Sequence, residues 1–242
     1  MTFVLVHGGG YDHRCWLPMV PHLDGDVVAV DLPGRGTRPV ALDEVSVEDF
    51  VDAVVDEITS RDLRDVVLVG HSLAGITLPA VGVRIPDRIS QLVFVSCAIP
   101  APGTAVVDAL GSFSPATAAV AAQLGDAILT PTGTLHPDLA ASMFFNDLDA
   151  EQQAYALEIM VPVSYRVVSE TLGSTGLPTT LPATYVRLLR DESVSLVTQD
   201  EMLARLGHPA VVDLDAGHMA MISRPEALAA ALNGIASAAS PT

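Results

Sequence analysis

The sequence predicts an α/β protein built on a mostly parallel, doubly wound sheet. Short runs of Val, Leu and Ile without strict polar alternation are typical of strands that are buried on both faces. Helical patterns separate these runs, and such alternation favours a parallel sheet covered by helices on both sides. The six runs are Phe3 to Val6, Val27 to Val30, Val66 to Val69, Leu92 to Val95, Tyr185 to Leu189 and Ala210 to Leu214.

The clearest predicted helix follows Ser46, which has the side chain of a good N-cap residue. Glu48 and Asp49 stand in its first turn, where acidic groups complement the helix dipole. A second helical run extends from Ile76 to Val83, and an alanine-rich helix is expected near Pro225 to Ala236. The residues that share one face of the first helix are Val47, Phe50, Val51, Val54, Val55 and Ile58.

The alternation of strands and helices stops between about residues 101 and 182, where Ala, Pro and Thr dominate. This stretch is too long for a plain loop, so we interpret it as a helical cap insertion that could form a lid. We therefore expect one domain over residues 1–242, with a core of residues 1–100 and 183–242.

The composition disfavours or excludes several classes of function. The 242 residues carry a net charge of −17, which disfavours binding to nucleic acid. No lysine occurs, which excludes lysine Schiff-base and pyridoxal-lysine chemistry. Half of the residues are hydrophobic and 17% are charged, as expected of one compact domain.

The two cysteines, Cys15 and Cys97, form no metal-ligand or disulfide pattern, and no phosphate-binding glycine motif is present. We therefore expect neither a metal nor a cofactor. No export signal or membrane-spanning stretch is evident either, so we expect a cytoplasmic protein without a membrane partner. A homodimer formed through the insertion is compatible with the sequence, but nothing requires it.

A candidate nucleophile follows the third predicted strand in the segment Gly70-His-Ser-Leu-Ala-Gly75. A serine on a tight turn from a strand to a helix exposes its hydroxyl at the edge of the sheet, which predicts a nucleophilic role for Ser72. The strict G-x-S-x-G pattern is not met, because Ala74 occupies its last position. Alanine is small enough that we expect the turn to survive.

A serine nucleophile needs a base, and seven histidines compete for this role. We favour His218, because it follows the last predicted strand at the sheet edge where open α/β sheets place their sites. His7 is expected to brace the adjacent glycine loop, and His71 is expected to point away from the face of Ser72 and to have a structural role. The other histidines, interpreted as ordinary loop or helix-end residues, are His13, His22, His136 and His208.

The acid that orients the base is expected after Ser72 and before His218. Asp191 is favoured, because it ends a predicted strand at the same sheet edge, and Glu192 is its local competitor. The remaining alternatives are Asp200, Asp213 and Asp215. After the first strand, Gly8-Gly9-Gly10 can bring a bare backbone amide close to a ligand, and with the amide of Leu73 it can form an oxyanion hole.

Taken together, these motifs resemble the α/β-hydrolases, and more narrowly the small-molecule methylesterase and hydroxynitrile lyase family. The segments that carry the resemblance are Phe-Val-Leu-Val-His-Gly at 3–8, Cys-Trp at 15–16, Gly-His-Ser-Leu at 70–73, Ser-Met-Phe-Phe at 142–145, Asp-Glu at 191–192 and Gly-His-Met-Ala-Met at 217–221. The resemblance implies a catalytic triad of Ser72, Asp191 and His218. It also implies oxyanion donors at Gly9 and Leu73, and pocket contacts from Met143, Phe144 and Met219.

Two positions favour the esterase branch of this family. The resembling lyases carry threonine and lysine where this chain has Gly8 and Met219. We therefore predict a serine carboxylesterase that hydrolyses a small, largely apolar ester, such as a methyl or aromatic ester, through an acyl-enzyme. A cofactor-free lyase of the hydroxynitrile type and a ligand-binding receptor with a hydrolase fold remain as alternatives.

Overall fold

The computed structural model describes residues 1–109, 114–171 and 181–239. Its six strands are all parallel and form one sheet in the order β2-β1-β3-β4-β5-β6. The six predicted strands are confirmed, with ends that differ by at most three residues. Their bounds are β1 Thr2–Val6, β2 Asp26–Val30, β3 Val66–His71, β4 Ile89–Val95, β5 Ala183–Leu188 and β6 Ala210–Leu214.

Ten α-helices are formed by the described residues. Their bounds are α1 Val47–Ser60, α2 Leu78–Arg84, α3 Val106–Ala109, α4 Pro115–Leu124, α5 Pro137–Phe144, α6 Ala150–Glu158, α7 Tyr165–Ser169, α8 Leu196–Arg205, α9 Ala220–Ser223 and α10 Pro225–Ala239. None of these helices combines the length and the apolar character needed to cross a bilayer.

Helices cover both faces of the sheet, which confirms the doubly wound α/β architecture. In β1, the side chains of Val4 and Val6 pack in the core that α1, α2 and α8 complete. Phe3 and Leu5 point to the opposite face and pack in the core that contains α9 and α10. Successive side chains of a strand alternate between faces, so a strand that is buried on both sides reads as an uninterrupted apolar run.

The predicted start of α1 is confirmed at the level of its cap. The Ser46 hydroxyl accepts a hydrogen bond from the Asp49 amide, and the Asp49 carboxylate accepts one from the Ser46 amide. This reciprocal capping box satisfies two amides that have no partner inside the helix. The helix therefore begins where sequence and cap chemistry agree.

Between β4 and β5 the chain leaves the sheet and forms α3 to α7. Hydrogen bonds join this helical insertion to the rest of the fold. The Val161 amide donates to the Gly10 carbonyl in the loop after β1. The Tyr155 hydroxyl donates to the Arg14 carbonyl in a short 3₁₀ helix, and the Gln152 amide group donates to the Ile222 carbonyl in α9. Residues 110–113 and 172–180 of the predicted insertion lie outside the described residues. Its role as a cap stays a prediction.

Candidate active site

Ser72 stands on a sharp turn at the carboxyl end of β3. Its φ is 53°, a left-handed conformation that is uncommon for a residue other than glycine. The chain continues through a short 3₁₀ helix, Ser72–Ile76, before α2 begins. The predicted α-helix therefore starts two residues later than expected. The Ser72 side chain is half-buried, whereas the neighbouring His71 and Leu73 are buried.

The turn explains why alanine precedes glycine in this segment. A Cβ atom at Gly75 would lie 2.3 Å from the Ala98 carbonyl oxygen, so a side chain at that position would require the backbone to move. Ala74 faces Gly70 instead, where a Cβ would approach the Ala74 methyl group to 2.9 Å. The turn thus has room for a methyl group at position 74 and none at position 75, and the expectation that it survives the departure from G-x-S-x-G is met.

Ser72, His218 and Asp191 form one continuous chain of hydrogen bonds. His218 Nε2 lies 3.1 Å from Ser72 Oγ, and His218 Nδ1 lies 2.7 Å from Asp191 Oδ2. A neutral imidazole in this position donates through Nδ1 to the carboxylate and accepts the serine hydroxyl at Nε2. The side chains of His218 and Asp191 are 3% and 0% exposed, so this hydrogen-bonded pair is shielded from water.

The Asp191 carboxylate is fully occupied by donors. Its Oδ1 accepts the amides of Ser193 and Val194, each at 2.8 Å. Its Oδ2 accepts the Ser96 hydroxyl at 2.6 Å in addition to His218. Ser96 comes directly after β4, and nothing in the local sequence identified it as a partner of Asp191. These bonds fix the plane of the carboxylate toward the imidazole.

The other acidic candidates lie elsewhere. Asp213 and Asp200 both bond the exposed guanidinium of Arg187, and Asp215 pairs with Arg190. Glu192 is exposed to solvent. Among the acidic residues considered from the sequence, Asp191 is the one that the structure brings to His218.

His7 braces the glycine loop, as its position predicted. Its Nε2 accepts the Leu32 amide at 3.2 Å, and its Nδ1 donates to the Gly8 carbonyl at 2.8 Å. Burial and then the nearby Arg35 guanidinium lower the pKa of His7 to about 4. The ring is therefore neutral near pH 7 and joins the loops that follow β1 and β2.

The predicted direction of the His71 ring is wrong, whereas a structural role agrees with its contacts. Its ring does not point away from the site but lies 4.6 Å from the ring of His218, with Trp16 edge-on to it. Its Nε2 donates to the His218 carbonyl at 2.9 Å. Burial and the His218 imidazole lower the pKa of His71 well below its ordinary value, so a neutral ring supports the backbone of His218.

The glycine loop after β1 packs directly on the Ser72 turn. A Cβ at Gly8 would lie 3.0 Å from Ser72 Cβ and 3.2 Å from the His71 carbonyl oxygen. A Cβ at Gly9 would lie 3.2 Å from Leu73 Cδ2. The loop therefore approaches the turn most tightly at Gly8, where backbone atoms stand in the way of a side chain, whereas Gly9 faces the Leu73 side chain.

Apolar groups surround the imidazole. The Phe144 ring is stacked on His218 with ring centres 5.1 Å apart, and Tyr11 packs edge-to-face with Phe144 with ring centres 6.3 Å apart. Met143 is half-buried, whereas Met219 is completely buried in the same core cluster as Phe144. The structure thus stacks Phe144 on His218 and buries Met219, the next residue in the chain, whereas the pocket roles of Met143, Phe144 and Met219 stay predictions.

One cluster of metal-ligand type was not anticipated. Ligand atoms of Asp12, His13 and Asp31 lie within 4.8 Å of one another. Both carboxylates already have partners in the chain, because Arg14 pairs with Asp12 while His13 and Thr37 donate to Asp31. We derive no metal chemistry from this cluster.

The sheet, the strand-to-helix turn and the geometry at Ser72 are those of a hydrolase of the α/β class. The chain belongs to the α/β hydrolase family, whose model matches residues 3–231. Methylesterase 18 of Arabidopsis thaliana is 27% identical to it over 99% of this chain and 98% of the relative. The resemblance to methylesterases found in the sequence is thereby confirmed.

Two solved structures extend the similarity to the whole fold. An extracellular α/β-hydrolase from a Paenibacillus species, with structural and functional homology to tobacco salicylic acid binding protein 2, superimposes with a TM-score of 0.80 at 26% identity; the match covers 98% of each chain. Polyneuridine aldehyde esterase superimposes with a TM-score of 0.76 at 25% identity over 97% of this chain and 98% of the other.

Proposed function

We propose that this protein is a serine carboxylesterase that hydrolyses a small, largely apolar ester through an acyl-enzyme. The observation that carries the proposal is the unbroken hydrogen-bond chain from Ser72 through His218 to Asp191. The esterase names of similar proteins over nearly the full chain length support it.

In this mechanism, Ser72 Oγ attacks the ester carbonyl while His218 Nε2 accepts the hydroxyl proton. Asp191 holds the imidazole in the required tautomer and stabilises the imidazolium that forms. The proton then passes from His218 to the departing alcohol, which leaves the acyl group on Ser72. A water molecule, deprotonated by the same imidazole, attacks the acyl-enzyme and releases the carboxylic acid.

The backbone amides of Gly9 and Leu73 are the proposed donors to the oxyanion. Their suitability rests on the close packing of the glycine loop against the Ser72 turn. Donors that are fixed before the reaction stabilise developing negative charge without reorganising, and one such donor is typically worth about 10²–10³ in rate.

The proposed acyl pocket is apolar. Phe144 covers one face of His218, and Met143 and Met219 complete the predicted contacts. The helical insertion acts in this proposal as a cap over the pocket. A pocket with few polar groups suits a small uncharged ester, and methylesterase relatives favour methyl esters within that class.

The test compares the parent protein with Ser72→Ala on methyl and p-nitrophenyl esters of short and aromatic acids. We expect the parent to release acid and alcohol in equal amounts, and the variant to lose at least about 10³-fold in kcat/KM. The variant should show the same thermal unfolding as the parent, because it removes one half-buried hydroxyl.

Other outcomes would contradict the proposal. Equal rates for both proteins would remove Ser72 from the reaction. A carbonyl product formed without uptake of water would indicate a lyase. Tight ligand binding without turnover would indicate a receptor.

A further inference from the structure

Two adjacent side chains of the helical insertion bond the loops that carry Asp191 and His218. Asn146 Nδ2 donates to the Arg190 carbonyl at 2.7 Å. Asp147 Oδ2 accepts the Gly217 amide at 2.8 Å. Arg190 directly precedes Asp191, and Gly217 directly precedes His218. One dipeptide thus holds the two residues that lead into the candidate acid and base.

Packing at Gly217 makes this contact close. A Cβ at that position would lie 2.5 Å from Asp147 Oδ1 and 2.6 Å from Asn146 Oδ1. The Asp147 side chain is only 2% exposed. The two side chains therefore contact the backbone of the loop that precedes His218, and only glycine at position 217 leaves space for this contact.

Arg190 also joins the same two loops. Its Nε lies 2.8 Å from Asp215 Oδ1, its Nη2 donates to the Asp215 carbonyl at 2.7 Å, and its amide donates to the Ala216 carbonyl at 2.9 Å. The same guanidinium lies 3.9 Å from Asp147 Oδ2. It thereby compensates the buried carboxylate, whose charge would be costly in isolation.

We propose that Asn146 and Asp147 are positioning residues that set the placement of His218 relative to Asp191 and so couple the triad to the seating of the insertion. The inference rests on the proposed esterase function. Residues 215–217 have no helix or strand to fix them, so their position depends on such bonds. A misplacement of about 1 Å in a catalytic group can lower the rate about 10²-fold.

The experiment measures kcat and KM for Asp147→Ala, Asp147→Asn and the control Asp138→Ala. Asp138 belongs to the same insertion, but its side chain is 76% exposed. We expect Asp147→Ala to lower kcat about 10- to 100-fold with KM within about threefold of the parent. Asp147→Asn keeps an oxygen that accepts the Gly217 amide and should recover most of kcat. Asp138→Ala should match the parent.

Asn146→Ala and the double variant, which combines Asn146→Ala with Asp147→Ala, complete a double-mutant cycle. Both side chains act on the same pair of loops, so the double variant should lose less than the product of the two single effects. All rates are measured at a temperature at which thermal unfolding curves show each variant to be folded. A fall in stability without a fall in kcat would indicate a purely structural role and overturn the inference.

A readout independent of turnover separates this inference from the esterase proposal. The Nδ1 proton of His218, held between nitrogen and the Asp191 carboxylate, should give a resolved downfield proton resonance, assigned by its absence in His218→Gln. We expect Asp147→Ala to shift or broaden it and Asp147→Asn to retain it. If the parent hydrolyses no ester, the esterase proposal fails, and the resonance alone decides the positioning role. An unchanged resonance in Asp147→Ala would refute that role.

Discussion

At the scale of single residues, the bonds of the Asp191 carboxylate show how this chain orients the His218 imidazole. Two amides hold one oxygen, and a hydroxyl and the His218 imidazole hold the other. The carboxylate cannot rotate without breaking several bonds inside a buried site. The imidazole beside it is therefore kept with its Nδ1 proton toward Asp191 and its Nε2 free to accept from Ser72.

Replacement of Asp191 by asparagine tests this arrangement. An amide NH2 group in place of Oδ2 donates a hydrogen bond and cannot accept one from Nδ1–H. The imidazole is therefore driven to the other tautomer, in which Nε2 carries the proton. We expect kcat to fall about 10³- to 10⁴-fold with little change in fold. Steady-state kinetics and circular dichroism provide the measurement.

Glu192→Gln is the matched control, because it removes the neighbouring carboxylate at an exposed position. It should retain the activity of the parent. The opposite pattern, a loss in Glu192→Gln and normal rates in Asp191→Asn, would transfer the orienting role to Glu192.

Sequence reasoning identified the three members of the hydrogen-bond chain, because each follows a strand whose end could be read from its apolar pattern. It could not find Ser96, which is 95 positions from Asp191 in the chain and reaches it only through the pairing of β4 with β5. It misplaced His71 for a related reason. The direction of that ring depends on Trp16 and His218, which arrive from distant loops.

At the scale of elements, the site lies between β1 and β3, two neighbouring strands whose following connections run to opposite sides of the sheet. β1 pairs with β2 on one side and β3 on the other, while β3 continues toward β4. The loop after β1 and the turn after β3 therefore leave the same edge side by side. Crevices of this kind are the usual binding sites of open parallel sheets.

The close packing of these two connections predicts different effects for two adjacent glycines. In Gly8→Ala the new methyl group meets Ser72 Cβ and the His71 carbonyl, so the loop must move away from the turn. We expect kcat to fall about 10²-fold, consistent with displacement of an oxyanion donor. In Gly9→Ala the new group meets only the flexible end of Leu73, and activity should stay within about fivefold.

The measurement is kcat of Gly8→Ala and Gly9→Ala on the same ester, together with the thermal unfolding of both variants. Parent-like activity in Gly8→Ala would show that the methyl group at position 8 is accommodated without movement of the loop.

Most elements were predictable from local pattern. The strands are continuous apolar runs, and the α1 start combines an amphipathic face with Ser46 and Asp49. The start of α2 lies two residues after the predicted one. The tight turn at Ser72 continues as a 3₁₀ helix, and Pro79 falls in the first turn of the α-helix that follows. Proline has no amide to donate and is best tolerated in a first turn, so Pro79 was the available signal.

At the scale of the whole molecule, two buried histidines connect the site to stability. His7 and His71 are almost fully buried, and their pKa values lie below the ordinary value, that of His7 at about 4. As the pH falls below about 6.5, the unfolded chain binds protons that the folded protein does not. Each such group lowers the free energy of unfolding by up to about 1.4 kcal/mol per pH unit.

We therefore expect stability to be highest above pH 6.5 and to decrease toward pH 4. Urea unfolding between pH 7 and pH 5 measures the slope. His7→Gln should reduce the slope by about one proton, whereas His22→Gln, at an exposed position, should leave it unchanged. A slope that is the same in the parent and in His7→Gln would show that His7 takes up its proton equally in both states.

The helical character of the insertion was predictable, but its seating was not. Asn146 and Asp147 carry no motif, and their partners Arg190 and Gly217 lie on loops that approach only after β5 and β6 have joined the sheet. Contacts between distant segments depend on the assembled fold, which composition and periodicity do not encode.

The strand order also has a consequence for how the chain assembles. Three of the five strand pairings among the described residues involve only β1 to β4, whereas β5 must close on β4 across residues 96–182. The free-energy cost of closing a loop grows slowly, by about 0.6 kcal/mol for each doubling of its length. The insertion therefore lowers the free energy of unfolding little, and its main effect is to slow folding. During synthesis, Ser72 therefore leaves the ribosome on strands that can already pair, long before Asp191 and His218 exist. The nascent chain therefore carries the proposed nucleophile before its proposed base has been made.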